Sequence, residues 1–168
     1  MANEKGDLHM NHKKASIQLK VIIIAMAIFG LMVYSWIVPT LGQNFANMFP
    51  ECAYAYWPWL IFIWATGIPC YTALFFAWQI ASNIGADHSF CTDNGILMKR
   101  IAKLASADGI FFFLGNIVLL FAGINHPGIV IVSLLVMCIA MGISVVASAL
   151  SHLIMEAAEL QEQSDFTI

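Results

Sequence analysis

Residues 129–155 read IVIVSLLVMCIAMGISVVASALSHLIM, with no formally charged residue, no proline and one glycine, Gly142. About 20 apolar residues at 1.5 Å of helical rise each cross the hydrocarbon core of a bilayer. This run is longer than that, and helical spacing continues into Glu156, Glu159 and Glu162. The stretch predicts one helix that crosses a membrane and emerges on the far side as an acidic rod. Ser144, Ser148 and Ser151 follow a 4-then-3 spacing, which Met155 and Ala158 extend. Small and hydroxyl side chains on one face let another helix approach closely and bond across the contact. The expectation is a seam on this face, set against the preceding span.

Working outward, three more apolar runs lie at about 19–38, 57–84 and 104–125. The chain has 168 residues, of which 61% are hydrophobic and 10% charged, with a mean hydropathy of +0.82. Soluble domains carry about 25% charged residues. Four spans consume most of the length, so the fold class read here is all-α: a polytopic membrane protein, four transmembrane helices in one domain. A short disordered or loosely helical lead (1–16) precedes them and a helical tail (156–168) follows. The first run lacks a small-x-small cleavage site and reads as a retained span, not a signal peptide.

The seven Lys and Arg residues cluster in two places: Lys5, Lys13, Lys14 and Lys20 at the entrance to the first span, and Lys99, Arg100 and Lys103 between the second and third. The other two connections have none. By the positive-inside rule, both termini and the middle loop are then cytoplasmic. Cys52, Cys70, Cys91 and Cys138 fall in different compartments under that topology and form no C-x-x-C pair, which argues against an internal disulfide.

Trp36 and Pro39 read as the exit of span one, leaving an outer loop (40–57) that ends in Tyr54, Tyr56, Trp57 and Trp59. That cluster suits an interfacial belt, and an apolar or cationic ligand is the alternative. Gly67 and Pro69 predict a kink in span two, with Thr66 and Thr72 placed to satisfy freed carbonyls. Gly85 stops that helix. Thr92 or Asp93 is the expected cap of an amphipathic segment carrying Lys99, Arg100 and Lys103 along the inner interface, where cations suit anionic headgroups. Asp108 is the unusual residue, since an ionisable group inside an apolar span is costly and suggests function. Counted back from the tight turn at 125–128, it is expected level with Ser144 and Ser148. It would pair there with those serines, or with Lys103 or Lys20.

Catalytic chemistry has little to stand on. The chain lacks H-E-x-x-H, a phosphate loop and G-x-S-x-G. His152 beside Ser148 and Ser151 lacks a third orienting group and reads as an intramembrane polar contact. His9 and His12, or His88 and Cys91, are too few ligands for a metal site. A quinone-linked thiol oxidoreductase needs paired outward cysteines, and a haem bundle needs facing histidines. A small multidrug antiporter would place a carboxylate in span one. None of these patterns is present, so no catalytic residue, metal or cofactor is expected.

Phe90-Cys-Thr-Asp-Asn94 followed by Met98-Lys-Arg-Ile-Ala102 resembles the middle loop of the YoaS-like bacterial membrane proteins of unknown function, which typically read Phe-Thr-x-x-Asn and then Leu-Lys/Arg-x-Ile. Cys91 stands where that family usually has Thr. The ending Glu159-Leu-Gln-Glu-Gln-Ser-Asp-Phe-Thr-Ile168 resembles the family's acidic C-terminus, and the four-span layout matches over nearly the whole chain. The resemblance implies an inner-membrane protein often encoded beside a small helix-turn-helix regulator. The expected function is therefore a non-enzymatic membrane sensor or regulatory partner. It would dock a cytoplasmic protein, such as that regulator, through Phe90, Asn94, Lys99, Arg100, Glu159, Glu162, Asp165, Phe166 and Ile168. The alternative is a small transporter or immunity-type protein using Asp108. Besides the lipid bilayer, a second copy of the chain is a further partner to consider, and direct nucleic-acid binding is not expected.

Overall fold

The computed structural model describes residues 2–165 apart from Asp87, with the side chains of 1–11, 51–52, 87 and 164–168 excluded. Helix α1 (Ala2–Met32) runs through a π-helical turn (Val33–Ile37) into α2 (Val38–Met48), and a 3-10 turn (Pro50–Ala55) leads to α3 (Tyr56–Gly85). Helices α4 (Thr92–Phe121) and α5 (Pro127–Asp165) complete the chain. No strand occurs among the described residues. Four helical stretches are long and apolar enough to cross a membrane: His12–Met48, Ala53–Gly85, Thr92–Phe121 and Pro127–Gln163.

The first helix departs from the expected boundaries at both ends. No proline interrupts residues 2–38, and the stretch expected as a disordered or loosely helical lead is already helical. Pro39 does not end the span; it sits in the first turn of α2, where a missing N–H is tolerated. The π turn before it shifts the hydrogen-bond register, so Val38 N–H donates to the Val33 carbonyl. The next donor in that register would be residue 39, which has no N–H, leaving the Tyr34 carbonyl without its partner. Trp64 on α3 supplies the bond, its indole Nε1 lying 3.0 Å from that carbonyl. The expected outer loop is therefore mostly helix, and residues 12–48 extend about 55 Å at 1.5 Å per residue, well beyond the roughly 30 Å apolar core of a bilayer.

The helices pack in chain order as an open row: α1 on α3, α3 on α4, α4 on α5. The α4–α5 contact is the most extensive. Along α4, Gly95, Ala102, Gly109 and Asn116 recur every seven residues and are all buried. Facing them on α5 are the buried Ser133, Ala147 and Ser151, with Met137, Ala140, Ser144 and Ile154 half-buried between them. This 3-4 alternation is the geometry of helices packed at a shallow left-handed angle. A Cβ on Gly109 would come within 2.7 Å of the Ala140 methyl, and one on Gly95 would strike Met155. Ser151 Oγ donates to the Gly95 carbonyl at 2.7 Å.

Of the expected seam, Ser151 is buried against Gly95, Ser144 is half-buried and Ser148 is exposed. Ser148 faces outward, and Ala147 takes the buried position. About two turns after Ala140, a residue must keep the 3-4 alternation to stay inside, and Ser148 falls one step off it.

The α1–α3 joint is built differently, from side chains that reach backbone carbonyls on the neighbouring helix. Buried Ser16 donates to Ala81 O at 2.6 Å, and Tyr71 OH donates to Ala27 O at 2.9 Å. Gly30 gives the Tyr71 hydroxyl room to approach, since a Cβ there would lie 3.1 Å from it. At the far end Gly42 of α2 is covered by Tyr56 and Trp59, while Tyr54 and Trp57 of the same aromatic cluster face outward. Thr66 and Thr72 donate to the carbonyls of Ile63 and Ile68. Neither reaches Ala65, whose usual donor Pro69 removes.

Candidate functional site

Asparagines on α4 organise both of its ends. Asn94 is 1% exposed and its amide donates to His88 O and Ser89 O, both at 3.0 Å. Asn83 Nδ2, at the end of α3, donates to Asn94 Oδ1 at 2.7 Å. These bonds fold the α3–α4 connection back onto the helix ends. The residue before the helix is Cys91, with no side-chain cap, so the expected cap at Thr92 or Asp93 is replaced by this asparagine anchor from inside. Asn94, expected among the docking residues, is consequently a buried fastener. At the other end Asn116 accepts from Asn125 Nδ2 at 2.7 Å. His126 Nδ1 then accepts from Gly128 N at 3.1 Å, helping to start α5 at Pro127. Gly123, with φ +71°, makes the reversal that other residues adopt only with strain.

Asp108 lies near the middle of α4 and faces α3, not the serines of α5. Its Oδ2 accepts from Cys70 Sγ at 3.6 Å. Tyr34 OH lies 3.3 Å from Thr66 Oγ1. Two polar pairs, Tyr34–Thr66 and Cys70–Asp108, therefore lie about one turn apart along α3. Asp108 Oδ1 is enclosed and has no hydrogen-bond partner among the described residues. Neither expected lysine reaches it: Lys20 sits 5.3 Å over the Trp78 ring. The misreading has a simple origin, because a helix turns 100° per residue and the face of Asp108 depends on which neighbour occupies Gly109. His152 is likewise not a buried contact. Its side chain is 80% exposed and lies 3.8 Å from Glu156.

The remaining surface candidates are separated in depth. Phe90, Lys99, Arg100, Glu159 and Glu162 are all exposed. Because Ser151 and Met155 lie against Gly95, the last turns of α5 run past the start of α4. Lys99 and Arg100 lie on the other side of that level, toward the helix centre. The chain order thus sets an acidic projecting end beyond a basic belt. The side chain of Asp165, and Phe166 and Ile168 altogether, lie outside the described residues, as does the side chain of Cys52. Cys70, Cys91 and Cys138 are free thiols, and no group of three or more metal-ligating His, Cys, Asp or Glu occurs among the described residues.

Four long apolar helices, joined by a 3-10 turn and two asparagine-anchored turns, define a small all-α integral membrane protein. The chain belongs to the family described as protein of unknown function (DUF2975), whose pattern matches residues 40–168. It is 30% identical over 159 residues to the uncharacterized membrane protein YoaS of Bacillus subtilis (strain 168), covering 94% of this chain and 99% of that protein. No solved structure matches the chain.

Proposed function

We propose that this chain is a membrane-anchored regulatory partner that docks a cytoplasmic protein on the projecting end of α5. The observation that carries the reading is the continuation of α5 to Asp165, past the start of its packing partner α4, with Glu156, Glu159 and Glu162 exposed. A helix whose spanning part is held by a close-packed seam and whose end continues past its packing partner is a rigid handle. Its acidic face complements a basic surface. The DNA-reading face of a small helix-turn-helix regulator is such a surface, because phosphate contacts demand Lys and Arg. Occupying it would sequester the regulator, and the same acidic face repels nucleic acid itself. The orientation required is both termini inside, which the two cation clusters support through the positive-inside rule. Phe90 belongs to the same end, whereas Lys99 lies at headgroup depth.

A second reading, transport or immunity through the membrane, draws on the enclosed and unpartnered Asp108 Oδ1. Intramembrane carboxylates that face other helices commonly mark a path. Crosslinking and pulldown from native membranes separates the two. Docking predicts that a basic cytoplasmic protein co-purifies with the full chain, and is lost on deleting 159–168 or reversing Glu159 and Glu162 to Lys. It is retained in Asp108→Asn. The transport reading predicts that Asp108→Asn abolishes function while the deletion is tolerated.

A further inference from the structure

Between the end of α3 and the start of α4 lies an open cavity of about 460 Å³, lined among others by Trp78, Gln79, Ser82, Asp93, Ile96 and Arg100. It sits at the end of the helices that carries the basic belt. Asp93 and Arg100 are seven residues apart on α4, so they share a face about 10 Å apart along the axis at 1.5 Å per residue. Both are exposed, and no ion pair joins either to an opposite charge among the described residues. Arg100 has only the Phe76 ring beneath it, at 5.6 Å. Asp93 is nearer the end of the helix and Arg100 nearer the membrane centre.

We infer that this cavity holds the phosphoethanolamine headgroup of a bilayer lipid. In a leaflet the phosphate lies nearer the acyl chains and the ammonium nearer water, which is the order of Arg100 and Asp93. Helical side chains lean toward the N-terminus, and long cationic ones snorkel toward the interface. The guanidinium rests over the Phe76 ring at 5.6 Å, and the roughly 10 Å of helix axis between Arg100 and Asp93 leaves room for a phosphate, a two-carbon linker and an ammonium, each with its own contact. Arg suits phosphate through its forked donors. Asp93, with the oxygens of Gln79 and Ser82, offers acceptors for the three N–H groups of a primary ammonium. Two alternatives fit less well. A headgroup with net negative charge would meet the Asp93 carboxylate, and a choline has no N–H to donate. Lys20 already covers a face of Trp78 that a quaternary ammonium would use. Trp78 and Ile96 provide the apolar wall on which the glycerol and upper acyl chain would rest.

The test is native mass spectrometry of the full-length protein offered equal amounts of phosphatidylethanolamine, phosphatidylcholine and phosphatidylglycerol. Retention of phosphatidylethanolamine over both others by about tenfold is expected from one added charge-assisted contact. Asp93→Asn should reduce its retention to the phosphatidylcholine level, Arg100→Gln should weaken all three lipids, and Ser82→Phe should block the cavity without removing a charge. The inference is overturned if phosphatidylglycerol is retained best, if no lipid is preferred, or if Asp93→Asn keeps the wild-type preference. The wild-type competition needs no variant to fold, and none of these outcomes bears on whether the α5 end docks a protein.

Discussion

The two helix pairs at the edges of the row are joined by opposite means. Helices α4 and α5 meet through small side chains at a seven-residue repeat, so their backbones approach and the contact is mostly shape. Helices α1 and α3, with the π turn that follows α1, meet through side chains that donate to backbone carbonyls across the joint: Ser16 to Ala81, Tyr71 to Ala27, Trp64 to Tyr34. In lipid there is no hydrophobic gain from pressing two apolar helices together, so each pair needs one of these devices. A shape-matched seam has one good register, and any added methyl group disturbs it. Hydrogen bonds at the ends of flexible side chains tolerate sliding. The comparison therefore separates a rigid hairpin that carries the proposed docking end from a more adjustable pair that contains the π turn and meets Asp108.

The largest expected effect breaks the hairpin. Gly109→Leu forces a side chain against Ala140 and should cost about 3 kcal/mol by overpacking. Ser148→Leu, pointing outward, should change stability by less than about 0.5 kcal/mol. Unfolding of both variants in mixed micelles checks the contrast, and equal costs would mean that the seam is misassigned. Next comes the fastener of the α3–α4 connection. Asn94→Ala leaves the carbonyls of His88 and Ser89 without that donor and should cost about 2 kcal/mol. Limited proteolysis near 86–91 should speed up accordingly, and unchanged cleavage would remove Asn94 from its proposed place.

A smaller effect sharpens the account of the other pair. Trp64→Phe removes the donor to the Tyr34 carbonyl and should cost about 1 kcal/mol, the scale of hydrogen bonds between membrane helices. Restoring an N–H with Pro39→Ala should recover most of that loss in the Trp64→Phe background and add little to the wild type. A double-mutant cycle with no coupling would show that the two residues do not share this carbonyl.

Much of this was legible from local pattern, and the gaps have a common cause. The four spans, the stop at Gly85 and a tight reversal before the last helix, expected at 125–128 and found at 122–126, follow from hydropathy, glycine and proline placement within single segments. The small residues at 95, 102, 109 and 116 were also in plain view, but a repeat shows a face only when the partner repeat on α5 is aligned to it. Choosing serines by residue type placed Ser148 in the seam, because a hydroxyl signals the ability to bond and not burial. Pro39 looked like an exit since nothing near it in sequence reveals that Trp64, 25 residues on, supplies the missing bond. Asp108 was found by its charge alone. Its partner Cys70 comes from another helix, and no spacing within α4 announces it.

Hydrogen exchange on the full-length protein in lipid nanodiscs tests the division between rigid hairpin and adjustable pair most directly. Local opening is easiest where contacts are few and backbone hydrogen bonds are irregular. The expected result is continuous slow exchange along 95–116 and 133–155, with partial protection running on into 156–163. Amides at 33–41, around the π turn and Pro39, should exchange faster than in any other intramembrane stretch. Uniform protection across both pairs, or faster exchange in the hairpin than around the π turn, would contradict the account.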